Sequence, residues 1–136
     1  EVVIEVMLAG DGLVGRRQVG ELYPRIAQLM QAAGVDSAYL YTAGQGADYQ
    51  ARMFSPTAGI PEDPATGSAS AILAAQLLAA GALGSGVTVL SLVQGVEMRR
   101  PGQIGLQVTC ENGVLQQVRV SGSALRISQG YIRVPQ

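Results

Sequence analysis

The chain has 136 residues, 48% of them hydrophobic and 14% charged, with a formal net charge of −1. That balance supplies one ordinary core and excludes a disordered chain. The near-neutral charge leaves no basic footprint for nucleic acid or for an anionic membrane surface. All nine cationic residues are arginine, which we read as a compositional bias rather than a site. There is no histidine, so the commonest general base and the commonest zinc ligand are missing. One cysteine, Cys110, allows no internal disulfide and no thiolate cluster, and no metal site is expected. Cys110 reads as a small core residue, and the cytoplasm is the expected compartment.

In chain order, Val2–Leu8 reads as a buried strand and Gly10–Gly20 as a loop. Glu21–Ala33 is an amphipathic helix, with Pro24 in its first turn and Leu22, Ile26, Leu29, Met30 and Ala33 at helical spacing. Gly34 closes it. Val35–Thr42 and Asp48–Ser55 are strands around a turn at Thr42–Ala47. A second helix runs from Thr66 to about Ala80 and ends at Gly81. Four strands follow, Val87–Val93, Gln103–Cys110, Val114–Ser121 and Ala124–Ser128, with a short final strand at Tyr131–Val134. Asn112-Gly113 is a two-residue hairpin signal.

Many strands with two helices do not make a βαβ series, so the class is α+β. The second helix carries alanine and leucine on nearly every face and is expected to be buried all round, with a curved sheet wrapped about it. Ala69–Leu83 is the longest apolar run and is too short and too interrupted to span a bilayer. No signal peptide is visible. The start at Glu1 without methionine reads as a processing or fragment boundary. We see no repeat and no linker, hence a single domain over 1–136.

The segment Glu62-Asp63-Pro64-Ala65-Thr66-Gly67-Ser68 places acidic residues beside a helix N-terminus, whose first amides can bind an anion. Asp63 is either an N-cap or a general acid or base next to a bound carboxylate. Gly67 costs helix stability unless a ligand or a neighbouring element approaches its backbone closely, and Ser68 offers an amide and a hydroxyl. Adjacent carboxylates usually point apart, so Glu62 is partly structural. Arg52 can pair with Asp63 or Glu62, or contact substrate. Arg99 and Arg100 lie in a turn that reads as solvated.

These residues carry a resemblance. Arg52 to Ala69, written R-x-F-x-P-x-x-G-I-x-E-D-P-A-T-G-S-A, resembles the signature of the PhzF-like family of phenazine biosynthesis. Gln94-Gly95, Arg100-Pro101, the strand from Ile104, and Val120-Ser121-Gly122-Ser123-Ala124 followed by Gly130 fit the same pattern. The resemblance implies a diaminopimelate-epimerase-like fold: two similar halves, each a curved, mostly antiparallel sheet around a central helix, with the active site between them. This chain resembles the C-terminal half. The partner half would bring the catalytic glutamate and the histidine that the family usually supplies.

By the resemblance, Asp63 is the C-terminal active-site aspartate. Thr66, Gly67, Ser68 and Arg52 are expected to bind substrate. Asp63-Pro64-Ala65 lacks the cysteine that related racemases place there, which excludes a two-thiol mechanism. Arg99 stands where many members have glycine, and Gly102 where serine is common. The expected function is a cofactor-independent isomerase domain that moves a proton on a small carboxylate-bearing substrate. It would be incomplete without the N-terminal half-domain or a second copy of itself in a dimer. A different class remains open: a non-catalytic half-domain that self-associates, or binds a small anion or a partner chain.

Overall fold

A computed structural model describes residues 4–8 and 19–135. The beginning of the predicted first strand and most of the predicted Gly10–Gly20 loop lie outside them. The elements are β1 (Ile4–Leu8), α1 (Val19–Ala33), β2 (Ser37–Ala43), β3 (Tyr49–Ser55), a 3-10 turn (Pro56–Ala58), β4 (Ile60–Asp63), α2 (Gly67–Ala79), β5 (Gly86–Gln94), β6 (Gly102–Glu111) and β7 (Val114–Gly122). The class is α+β, as expected.

One sheet runs in the order β1-β2-β3-β5-β6-β7, with β4 added to β3. β1–β2 and β3–β5 are parallel, and the other pairs are antiparallel. The β1-α1-β2 segment is therefore a βαβ unit that the sequence pattern did not suggest, because a parallel pair needs a crossover and α1 supplies it. β4 and β5 share one edge of β3. β5 pairs with Tyr49–Ala51, and β4 pairs with Met53 and Ser55.

The two helices cover opposite faces. From β2, Ala38 and Leu40 join Phe54 of β3 and pack against Ile26 and Met30 of α1. The alternate residues Tyr39, Tyr41, Ala51 and Met53 join Leu92, Ile104, Leu106, Val108 and Cys110 against Ala69, Leu73, Ala74 and Leu77 of α2. This alternation is the period of two expected for strands covered on both sides. Cys110 faces inward and is 1% exposed. A flat sheet would hold β1 and β7 about 24 Å apart, five strand spacings, which exceeds a helix diameter of about 10–12 Å. Because α2 contacts β1 as well as β6 and β7, the sheet curls around it.

Four expectations need correction. α1 begins at Val19, so Pro24 lies inside the helix rather than in its first turn. It removes one intrahelical bond there. The stripe of α1 is narrower than its spacing implied, since Ile26 and Met30 are buried but Leu29 is half exposed. α2 is buried on one side only, through Ala69, Ser70, Leu73, Ala74 and Leu77, while Ile72 is 42% exposed. Neither Ala124–Ser128 nor Tyr131–Val134 forms a strand. Residues 123–130 and 131–135 carry no regular structure, and Leu125, Ile127, Tyr131, Ile132 and Val134 are almost fully exposed. Alternation alone makes no strand where no neighbouring edge accepts its hydrogen bonds.

The hairpin at Asn112-Gly113 is present. Both residues have positive φ, 51° and 77°, as a two-residue turn matched to strand twist requires. No helix among the described residues is long and apolar enough to cross a membrane.

Candidate functional site

Asp63 ends β4 and pairs with Met53 across β3. It is not the N-cap of α2; Thr66 holds that position, with an extended backbone at φ −119° and ψ 97°. Its hydroxyl makes no capping bond. Instead Thr66 Oγ1 donates a hydrogen bond to Asp63 Oδ2. The Asp63 carboxylate is thereby held against the first turn of the helix, where the dipole favours negative charge.

Gln94, at the inner end of β5, locks this turn and is fully buried. Its Nε2 donates to the Asp63 carbonyl at 2.7 Å and to Thr66 Oγ1 at 2.9 Å. Its Oε1 accepts from the Thr66 amide at 3.2 Å. The Thr66 carbonyl accepts from the Ser70 amide and from Ser70 Oγ at 2.7 Å, and Ser70 Oγ meets the Tyr39 hydroxyl at 2.9 Å. Burial drives the Tyr39 phenol up to about 12, with the Ser70 contact pulling slightly the other way. The phenol therefore serves as a neutral strut.

Gly95 allows Gln94 to reach this position. Its φ is 80°, and a Cβ there would lie 2.5 Å from the Arg100 carbonyl and 2.8 Å from that of Pro64. The backbone after β5 thus rests directly on the backbone after Asp63. Gly102 makes a similar, looser approach to Ala65.

Gly67 and Ser68 are exposed at the start of α2, where their amides are among the donors a helix leaves without an internal acceptor. A Cβ on Gly67 would sit 3.5 Å from Val120 Cγ1, an ordinary contact. Packing therefore does not demand glycine at this position. Ala65, Gly67, Gly102, Gln103, Val120 and Ser121 border an open cleft of about 690 Å³. Asp63, Thr66, Gly67 and Ser68 are thus gathered at one end of α2.

Arg52 lies apart from them. It is fully buried on the α1 side of β3, its guanidinium 5.1 Å from the Phe54 ring centre. Nε and Nη2 grip the Glu62 carboxylate at 2.7 and 2.9 Å. Of the partners open to it from sequence, Arg52 takes Glu62, and its fork holds β4 against β3. Glu97, which sequence reasoning did not single out, closes the same cluster. Its Oε1 accepts from Gln50 Nε2 at 2.7 Å, and its Oε2 lies 3.8 Å from Arg52 Nε. Arg99 and Arg100 are exposed, as expected for a solvated turn. Glu97 carried no signal because its turn looked like any polar loop. Gln94 had one: it follows Leu90 and Leu92 in the inward register of a strand, where an amide needs buried partners.

A mixed sheet curled around one helix, with a carboxylate fixed beside the exposed first turn of that helix, defines the class as an α+β domain. Residues 12–130 match the family described as phenazine biosynthesis-like protein, PhzC-PhzF. The chain belongs to that family. It is 35% identical over 131 residues to an uncharacterized isomerase of Mesorhizobium japonicum, covering 94% of this chain and 42% of the relative. It is 38% identical over 90 residues to the trans-2,3-dihydro-3-hydroxyanthranilate isomerase of Pseudomonas chlororaphis, covering 66% of this chain and 32% of that enzyme. The fold matches a crystal structure of the Bacillus anthracis phenazine biosynthesis protein of the PhzF family, with a TM-score of 0.64 and 22% identity over 87% of this chain and 41% of the other. The chain spans less than half the length of these curated relatives.

Proposed function

We propose that this chain forms the C-terminal half of a two-domain, cofactor-independent isomerase that moves a proton on a small carboxylate-bearing substrate. The observation that carries this reading is the Asp63 carboxylate, fixed by Thr66 next to the exposed first turn at Gly67 and Ser68. The amides of that turn would hold the substrate carboxylate, favoured by the helix dipole. Asp63 would orient the substrate or assist proton transfer. A glutamate from the other half would act as the main base. Membership of an isomerase-containing family and the partial coverage of its relatives support the division into halves.

One wall cannot exclude water or hold donor and acceptor on both sides of a substrate. The chain alone is therefore expected to be nearly inactive. The test uses the complete two-half protein in deuterated water, with trans-2,3-dihydro-3-hydroxyanthranilate as probe because a relative is named for acting on it. Asp63→Asn should lower turnover by about 100-fold or more while leaving the melting temperature within a few degrees. Unchanged turnover would sink the assignment, and a large drop in melting temperature would return Asp63 to a structural role.

The exposed apolar side chains at Ile72, Leu125, Ile127 and Tyr131 favour a second reading, a half-domain that associates with another copy or another chain. Native mass separates the two. A pure assembly of 14.1 kDa chains that binds acetate at Gly67 and Ser68 without isomerising the probe would support the second reading.

A further inference from the structure

Thr66 carries a hydroxyl at the N-terminus of α2, and its residue type alone suggests a substrate ligand. The hydrogen bonds around it say otherwise. The Thr66 amide can only donate and the Asp63 carbonyl can only accept, so these two groups fix the Gln94 amide: Oε1 faces the amide and Nε2 the carbonyl. A flipped amide would set donor against donor and acceptor against acceptor. The second Nε2 proton then points at Thr66 Oγ1, 2.9 Å away. Thr66 Oγ1 keeps its single proton to give, and Oδ2 of the Asp63 carboxylate, which when ionised can only accept, receives it. Asp63 Oδ1 accepts no hydrogen bond from any described residue.

We infer that Gln94 is a positioning residue, which acts through the Thr66 hydroxyl to engage Oδ2 of Asp63 and leave Oδ1 as the oxygen that faces substrate. Thr66 is then part of the relay and not a substrate ligand. This rests on the isomerase reading only for the identity of what Oδ1 meets. The direction of the relay belongs to the folded chain alone.

The relay is tested by NMR on the labelled full chain at neutral pH, with no substrate present. In the unsubstituted protein both Gln94 Nε2 protons should exchange slowly. Couplings across the hydrogen bonds should connect Nε2 to the Asp63 carbonyl and the Thr66 amide to Gln94 Cδ. In Thr66→Val one Nε2 proton should lose its protection by about tenfold or more while the other keeps it, and the Asp63 Cγ resonance should move. Thr66→Ser should restore both. A Cγ resonance indifferent to Thr66→Val, or Nε2 protons that both stay unchanged, would overturn the inference. Should Thr66→Val fail to fold, the couplings in the unsubstituted chain decide alone, and their absence overturns the amide orientation. Unchanged isomerase activity of Thr66→Val in the complete protein, with these signals shifted as expected, would count against the catalytic reading and not against the relay.

Discussion

Two residues with positive φ on the same connection make opposite demands. Arg99 sits at φ 57° with its side chain exposed, so it bears the usual cost of a left-handed residue and gains no packing. Arg99→Gly should be neutral or stabilising by up to about 1 kcal/mol, read from the urea midpoint. Gly95 has no such latitude, because a Cβ would meet two backbone carbonyls within 3 Å. Gly95→Ala should separate β5 from the Asp63 turn, destabilise the fold by several times RT and break the Gln94 contacts. The Arg52 cluster has its own asymmetry. Glu62→Gln leaves the buried guanidinium with Glu97 nearby, whereas Arg52→Met leaves two buried carboxylates facing each other. We expect Arg52→Met to cost about 3–5 kcal/mol and Glu62→Gln less, measured by urea unfolding. The sequence showed that Glu62 and Asp63 would point apart. It could not show which one Arg52 would take, since that depends on β4 pairing with β3.

The elements divide by how much their pattern depends on partners. α2 was legible as a helix, but its buried face was not, because alanine fits either side and leaves little period to read. The polar Ser70 lies on that face, where its hydroxyl serves the Thr66 carbonyl and Tyr39. Leu73→Ala should cost about 2–5 kcal/mol in the isolated chain, and Ile72→Ala well under 1, by the same unfolding measurement. Gly67→Ala tests the site from the helix side. There is room for the methyl group, so stability should hold or rise slightly, while affinity for a small carboxylate should fall. β4 was missed because Ile60-Pro61-Glu62-Asp63 has the composition of a loop. It is a strand because the upper half of β3 would otherwise present an unpaired edge.

At the scale of the molecule, the phenol at its centre sets an alkaline limit. The Tyr39 value in the folded chain, about 12, exceeds that of an exposed tyrosine near 10, so between those pH values the unfolded chain loses a proton that the native chain keeps. Stability is therefore fully present below pH 10 and falls as pH rises toward 12, by on the order of 2–3 kcal/mol. Tyr41 shifts the same way through burial and its neighbour Tyr49. Tyr39→Phe should flatten much of this alkaline slope in a melting series. On the acid side, the Ser91 amide and hydroxyl hold the Asp48 carboxyl below its usual range, so its contribution persists through mild acid and is lost as pH falls through that lowered value.

Cys110 is the sole sulfhydryl of the chain and lies inside β6, shielded by α2 and its neighbouring strands. An alkylating reagent can reach it only when that region opens. The labelling rate of the unmodified protein therefore acts as a clock for opening, and its slowing on addition of another chain would register that the two bind, without any substrate in hand.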